Sequence, residues 1–381
     1  MRARWFLMVL LLVPAAASAT VARVESLQHD PLQADETDIF RFPGVLPVYS
    51  DSLWFEFSPS PLDGWAGGAF GLPWSFGVTG HRPIEWNDVM EMIDLYGWGG
   101  NVPEAEPILD LMVGYGSGGH GFGLRFGMAA GLTSTEDTAA GTGKDGSTAL
   151  SFDLTLGYST DIPGYRGDSG LSLAFKRVES QVDGSTVAES IPVPSFLLEH
   201  RSLIGPESGL RFGFDVLFTR REYGATDASG TDTNMARWLV RVTAGPHADL
   251  GANVVLSGGI AFGYEWEGGD VGGVDQDTLT GAMLPGLVLS LEAEVVSWLV
   301  VRAGAAYDLV LEHRTTRTGG TISRESQQLR HGFSWSVGVG LRWDRVRLDA
   351  MVAPDLFFQG PALVGGGTPG LFAQVSAAVE F

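Results

Sequence analysis

Charged side chains recur at alternate positions of long segments whose other residues are large and apolar. Arg211 and Asp215, for example, alternate with Leu210, Phe212 and Phe214. In a β-strand, alternation of this kind places the charges on one face and the apolar groups on the other. Such charges could pair across strands and stabilise a wall, or they could form a constriction that selects solutes in a pore. The candidate lumen-lining residues are Arg125, Asp153, Arg201, Arg211, Asp215, Arg237, Arg241, Glu292, Arg302, Asp308 and Arg342.

Some of these residues form a possible basic ladder. Arg201, Arg211, Arg237 and Arg241 come from neighbouring predicted strands. If their side chains share one wall, they would favour anions.

Serine, histidine and carboxylate residues also collect around a predicted outer loop at 314–330. His313, His331, Ser323 and Glu325 could in principle assemble a hydrolase set there. The sequence has no nucleophile elbow and no H-E-x-x-H motif, however. We therefore assign no catalytic residues and expect neither an enzyme nor a cofactor.

Two acidic stretches carry the oxygen ligands that Ca²⁺ and Mg²⁺ prefer. They lie at residues 85–106 and 265–277, and neither has EF-hand spacing. A solvated loop surface and a surface cation site are both compatible with them, so metal binding stays open.

The dominant pattern along the chain is a hydrophobic period of two residues. From Phe333 to Trp343 every odd position is large and apolar, and every even one is small or polar. Residues 150–158, 210–218 and 299–311 repeat the pattern. Strands of about 10–15 residues are long for globular proteins but suit tilted membrane-spanning strands. The pattern predicts an all-β fold, a transmembrane antiparallel β-barrel.

The connections between the predicted strands alternate in length, as the turns and loops at the two ends of outer-membrane barrels do. Short turns are predicted near 116–119, 160–168, 204–208, 246–250, 296–298 and 343–345, and longer loops at 133–147, 182–191, 223–233, 267–278, 314–330 and 359–368. About sixteen strands result, with fourteen as the alternative. The uncertain stretch is 67–81, where the even strand number of bacterial barrels favours two short strands over one.

Two N-terminal segments lack the strand period. Residues 1–19 have the three parts of a signal peptide, with Arg2 and Arg4 first, an apolar run next and Ala17-Ser18-Ala19 last. Residues 20–50 could be a disordered tail or a plug in the lumen, with Asp35, Asp38, Phe42 and Pro43 as plug candidates. The barrel would then occupy residues 51–381, in the outer membrane. Residues 86–96 are predicted to form a short helix within an acidic loop.

The last strand resembles the C-terminal signature of bacterial outer-membrane proteins. Residues 371–381 alternate apolar and polar and end in Phe381. The resemblance implies that the barrel-assembly machinery recognises Phe381.

The region before the first strand resembles the long-chain fatty-acid transporter family. An acidic run from Ala34 to Phe40 leads into Phe42-Pro43-Gly44-Val45-Leu46. In that family an Asp-rich patch leads into an Asn-Pro-Ala-Gly-Leu-type motif, so Phe42 stands in the Asn position here and the Ala is missing. The resemblance implies a hatch inside the barrel and the passage of hydrophobic substrates.

Composition narrows the function classes. The 381 residues include no cysteine, which excludes disulfides and thiolate metal sites. A net charge of -21 argues against nucleic-acid binding. The predicted function is passage of small or hydrophobic solutes through a barrel embedded in outer-membrane lipids. The alternative is a non-transporting barrel whose surface loops bind a partner or cations.

Overall fold

The computed structural model describes residues 21–57, 65–80, 106–136, 144–182, 185–191, 194–206, 208–227, 230–251, 253–271, 274–275, 278–318, 321–352 and 372–381. The predicted signal peptide, the predicted helix at 86–96 and the predicted loop at 359–368 lie outside them. No helix within these ranges is both long and apolar enough to span a membrane.

Most of the described chain is β-strand. The strands are β1 (Ser52–Phe57), β2 (Trp65–Phe70), β3 (Trp74–Gly80), β4 (Glu106–Ser117), β5 (His120–Glu136), β6 (Lys144–Ile162), β7 (Tyr165–Val182), β8 (Ser185–Ile191), β9 (Ser195–Ile204), β10 (Leu210–Asp227), β11 (Asp232–Asp249), β12 (Val254–Val271), β13 (Val274–Asp275), β14 (Thr278–Val296), β15 (Leu299–Thr318), β16 (Thr321–Trp343), β17 (Val346–Val352) and β18 (Phe372–Glu380).

These strands close into one antiparallel ring. Strands that are adjacent around the ring pair antiparallel, and β1 pairs with both β2 and β18, which shuts the barrel. β8 and β9 occupy successive parts of one position, between β7 and β10. Within the described chain this gives a 16-strand barrel plus the short β13, so the prediction of sixteen strands is confirmed.

The stretch at 67–81 forms two strands, as predicted from strand parity. β2 and β3 pair with each other, and β3 continues the ladder to β4.

The two faces of the wall have opposite polarity, as the period of two predicts. Along β6, Ser151, Asp153 and Thr155 are buried, whereas Leu154 and Leu156 between and beside them are exposed. The polar side chains therefore point inward and the apolar ones outward, the reverse of a soluble sandwich.

The strands run further toward the long-loop end than predicted. The predicted loop at 182–191 is mostly strand, because β7 and β8 pair, with Val182 opposite Ser185. The predicted loop at 314–330 is likewise the end of β15 and the start of β16. Polar residues rich in Gly and Thr continue the ladder because strand pairing uses the backbone, which needs no apolar alternation.

Residues 21–50 precede β1 and fold as short helical pieces. These are α1 (Val21–Ser26), α2 (Asp38–Arg41) and a 3₁₀ helix (Pro43–Tyr49). Leu27, Leu32 and Leu46 in this segment are almost completely buried. The segment packs against inward-facing side chains of strands around the ring, and these contacts form the candidate site.

Candidate functional site

A buried arginine on β9 holds the centre of the N-terminal segment. Arg201 Nη1 and Nη2 donate to the two carboxylate oxygens of Asp38, at 3.2 and 2.7 Å. Nη2 also donates to Asp168 on β7 at 2.7 Å, and Nη1 to the carbonyl of Gln33 at 3.1 Å. Arg201 is only 2% exposed, so this charge-assisted contact is shielded from water. The guanidinium also lies 5.1 Å from the ring centroid of Phe42.

A second buried arginine lies on β5. Arg125 pairs with Asp110 at 2.7 Å and with Asp153 at 2.8 Å, and it is fully buried. Its Nη1 also donates to the carbonyl of Phe40 at 3.3 Å. The wall charges of three neighbouring strands thus neutralise one another and contact the segment at the same point.

A third contact joins α1 to β14. Arg23 Nε donates to Glu292 at 2.7 Å. Glu292 also accepts from Arg302 at 2.6 Å and lies 3.9 Å from both Arg342 and Arg347. Burial opposes the charge of Arg23, but the carboxylates of Glu292 and Asp35 outweigh that effect and raise its pKa.

A fourth contact places Arg41 of α2 on Glu199 of β9. Arg41 Nε donates to Glu199 Oε2 at 2.8 Å, and Nη2 donates to Oε1, so the pair is bidentate. The Glu199 side chain is 1% exposed, whereas that of Arg41 is 39% exposed. Arg41 therefore covers the carboxylate on its solvent side.

Glycines on the inner wall let the backbone of the segment approach closely. A side chain added at Gly123 would overlap the carbonyl of Pro43, and one at Gly170 would overlap the carbonyl of Arg41. A Cβ at Gly304 would lie 2.6 Å from the carbonyl carbon of Leu27. Gly338 faces Ser26 in the same way. The inner surface is thus shaped to fit this segment.

An apolar cluster adds to the contact between the N-terminal segment and the barrel wall. Ile39, Phe40 and Leu46 of the segment pack with Trp54 of β1 and Trp65 of β2. The rings of Phe40 and Trp65 meet edge to face, with centroids 5.6 Å apart. The cluster buries apolar area that would otherwise meet the polar interior.

The acidic part of the segment carries a buried carboxyl with a shifted pKa. Glu36 is 6% exposed, and its Oε2 has no hydrogen-bond partner among the described residues. Burial raises its pKa to about 8, against the opposing charge of Arg347. Burial and the neighbouring Asp38 also raise the pKa of Asp35, whose carboxylate accepts from Thr37.

The predicted lumen-lining residues all occupy the inner face, and most are paired. Besides the pairs above, Arg211 binds Asp249 at 2.7 Å, Arg237 binds Glu265, Arg302 binds Asp349 at 2.7 Å, and Arg342 binds Glu294 at 3.1 Å. Asp308 is exposed on β15. Asp215 is completely buried, and neither carboxylate oxygen has a hydrogen-bond partner among the described residues.

The predicted basic ladder is largely neutralised. Arg201, Arg211 and Arg237 each have a carboxylate partner, and Arg241 has an Nε without one among the described residues. Of the predicted acidic stretches, the first lies mostly outside the described residues. Glu265 of the second acidic stretch accepts a hydrogen bond from Arg237. The described residues include no group of three or more side chains arranged to hold a metal ion.

The predicted hydrolase residues have other contacts. His313 lies against Thr315 and Gln327, at 3.3 and 3.4 Å. Ser323 Oγ donates to the carbonyl of Thr316 at 3.1 Å. These described contacts do not assemble a Ser–His–acid set.

Arg23 and Arg41, which make two of the contacts, were not among the predicted plug residues. The sequence feature that could have identified them is that they are the only basic residues other than His29 in the acidic stretch 20–50. Of the predicted plug candidates, Asp38 contacts the wall through Arg201, and Phe42 and Pro43 lie against Arg201 and Gly123. Asp35 instead contacts its own segment, through Thr37 and the carboxylate of Asp38.

Several solved structures have a similar backbone at low sequence identity. A Pseudomonas aeruginosa FadL homologue is 12% identical, with 97% of this chain and 100% of that chain covered and a TM-score of 0.44. CdiB from Escherichia coli is 13% identical, with 87% and 62% covered and a TM-score of 0.44. The alcaligin outer-membrane receptor FauA from Bordetella pertussis is 6% identical, with 80% and 68% covered and a TM-score of 0.40.

The chain spans about three fifths of the CdiB chains from Escherichia coli and Acinetobacter baumannii, at 62% and 58% of their lengths. No protein-family model and no curated protein matches the sequence.

The closed ladder, the exposed apolar outer face and the buried polar inner face together define the class of protein. In hydrocarbon every backbone group must be paired, and a closed barrel is the sheet that achieves this. The chain is a transmembrane β-barrel of the outer-membrane type.

Proposed function

We propose that the protein is a channel for small or hydrophobic solutes across the outer membrane, and that residues 20–50 are its plug. The observation that carries the proposal is the close fit between the described segment 21–50 and the inner wall. Arg23, Asp38 and Arg41 make ion pairs with β14 and β9, and wall glycines face the segment backbone.

The contacts lie toward one end of the barrel. Leu32 faces Gly213, and Gly44 faces Gly121, and both wall residues are close to short turns. In outer-membrane barrels the short turns face the periplasm. A plug at that end would leave the long-loop side of the lumen open to incoming solute.

Passage rather than catalysis is proposed because the charges on the described inner face are mostly paired with one another and form no catalytic set. The inner face also has apolar side chains, including Val178, Leu197, Leu217 and Met235. They would suit solutes with a hydrophobic part.

Removal of residues 20–50 tests the proposal in planar bilayers. The shortened barrel should conduct ions steadily, whereas the full chain should conduct in rare openings or not at all. The control is Arg177→Gln in the full chain, which breaks an exposed pair with Glu189 far from the segment. Absence of current from both the full and the shortened chain, together with no solute uptake into liposomes, would refute the channel.

The alternative function, binding of a partner by outer loops, is supported by one feature. β16 is 23 residues long, and its first 14 residues, 321–334, are all exposed. The hairpin of β15 and β16 would project beyond the membrane. Deleting residues 316–324 should abolish attachment to a cell or ligand under this alternative, and should leave conductance unchanged under the channel proposal.

Phe381 is proposed as the contact for the assembly machinery. Its side chain is 49% exposed, and its ring lies 5.8 Å from that of Phe70. Its backbone N–H donates to the carbonyl of Asp51, which ties it to the residue just before β1. The exposed ring is therefore held in a fixed position.

A further inference from the structure

A pair of buried carboxylates lies side by side on β9 and β10. Glu199 is 1% and Asp215 0% exposed. In the strand register Glu199 faces Leu217, and Asp215 faces Arg201, so the two acids occupy neighbouring inward positions. Both oxygens of Asp215 lack a hydrogen-bond partner among the described residues. A buried charged group of this kind normally has a partner, so this carboxylate has spare binding capacity.

The nearby cations do not use that capacity. Arg201 is engaged by Asp38 and Asp168. Arg241 lies on β11 opposite Leu217, and no hydrogen bond or ion pair joins it to Asp215 among the described residues. Arg41 binds both oxygens of Glu199 and neither of those of Asp215.

Arg41 of the N-terminal segment occupies the Glu199 half of the pair. Its two-nitrogen contact with Glu199 is the geometry that a guanidinium and a carboxylate prefer. Because Arg41 is 39% exposed while Glu199 beneath it is 1% exposed, a cation arriving through the lumen meets Arg41 first. Displacing Arg41 would uncover two acids at once.

We propose that Glu199 and Asp215 form a binding site for the guanidinium or ammonium group of a cationic solute, and that Arg41 fills this site until the solute displaces it. The proposal rests on the proposed plug function of residues 20–50. Leu197 and Leu217 lie on the same wall beside the acids, so an apolar stem attached to the cation would be accommodated.

The other arginine contact of the segment differs in a way that makes it a matched control. Glu292 keeps Arg302 at 2.6 Å, with Arg342 and Arg347 at 3.9 Å, after Arg23 is removed. Among the described residues, Glu199 has Arg41 as its one ion-pair partner. Loss of either arginine weakens the plug, but only loss of Arg41 creates an open acidic site.

The first experiment compares Arg41→Gln with Arg23→Gln in planar bilayers under a KCl gradient. Both variants should open more often than the parent chain. Arg41→Gln should prefer K⁺ over Cl⁻ at least about threefold more than Arg23→Gln, because uncovered acidic side chains in a pore select cations. Adding Asp215→Asn should reduce that difference, and the charge of Glu199 accounts for the part that remains. Equal selectivity of the two variants would overturn the cation site while the plug still stands. If neither variant conducts and the chain without residues 20–50 does not conduct either, the proposed channel function is refuted.

A second experiment uses the parent chain, so it does not depend on the folding of Arg41→Gln. Butylguanidinium should raise the conductance in a saturable way, and its neutral analogue butylurea should not. Asp215→Asn, which keeps the side-chain shape, should raise the half-maximal concentration of butylguanidinium about tenfold. An equal response to both compounds, or an unchanged half-maximal concentration in Asp215→Asn, would contradict the proposal.

Discussion

At the scale of single residues, glycines decide how closely the N-terminal segment approaches the wall. Gly123→Ala should displace the Pro43 region, because the new methyl group would overlap the Pro43 carbonyl. Such overpacking costs typically about 1–3 kcal/mol. We expect faster protease cleavage within residues 21–50 and more frequent channel openings. Gly332→Ala is the control, since a Cβ there meets nothing within 4 Å. Equal effects of the two substitutions would contradict the fit.

The buried arginines should matter far more to stability than the exposed ones. Arg201→Met leaves Asp38 and Asp168 buried without it, and breaking a buried pair costs about 3–5 kcal/mol. Arg177→Met removes an exposed pair with Glu189 and should cost about 0–1 kcal/mol. The temperature at which the folded barrel unfolds on a denaturing gel measures both. A smaller drop in unfolding temperature for Arg201→Met than for Arg177→Met would contradict the role of Arg201 in holding the N-terminal segment.

Glu36 should make docking of the segment depend on pH. Its pKa rises from 4.5 to about 8 on burial, so the docked state keeps a proton that the released state gives up. Docking should therefore be strongest below about pH 4.5 and should weaken toward pH 8, by at most about tenfold per pH unit. Protease cleavage within residues 21–50 should accelerate over this range. Glu36→Gln should flatten the profile, and a parent chain with no pH dependence would refute the assignment.

At the scale of elements, the longest strands combine a membrane-spanning part and a projecting part. A strand tilted by about 45° rises about 2.3 Å per residue along the barrel axis. Leu156 is six residues from the end of β6 at Ile162, or about 14 Å up, near the middle of an apolar band about 25 Å tall. Ile322, near the far end of β16, lies well beyond that band.

An arginine scan of these two positions tests the placement in the membrane. Leu156 and Ile322 are 52% and 50% exposed, so neither substitution disturbs a packed core. Leu156→Arg should cost about 2–4 kcal/mol and Ile322→Arg about 0–1 kcal/mol. Reversible folding into lipid vesicles in denaturant gives both values. Equal costs would mean that the apolar face is not arranged by depth.

The N-terminal segment could be recognised from the sequence only as a stretch without the period of two, which does not say what structure it forms. A disordered tail and a plug were both compatible with residues 20–50. The segment is held by contacts such as Arg41 with Glu199, 158 positions apart along the chain. Such a pair cannot be predicted from local sequence, because each partner alone is also typical of a solvated surface.

At the scale of the whole molecule, the barrel places water-compatible groups inside and oil-compatible groups outside. The buried ion pairs are tolerable because each charge faces an opposite charge at hydrogen-bond distance. Under the proposed function, the same carboxylates would hold either the segment or an incoming cation. Substitutions on the inner wall should then alter both stability and gating.

The sequence by itself predicted the barrel, a strand number of about sixteen with fourteen as the alternative, the polarity of its two faces and the turns that join the strands at one end. It could do so because alternation is local, and each residue reports whether water or hydrocarbon lies on its side of the strand. The extent of the projecting strands and the pairing of the inward charges were decided only by the tertiary structure. Backbone pairing continues whatever the side chains are, and the partner of each buried charge depends on which distant strands the closed ring brings together.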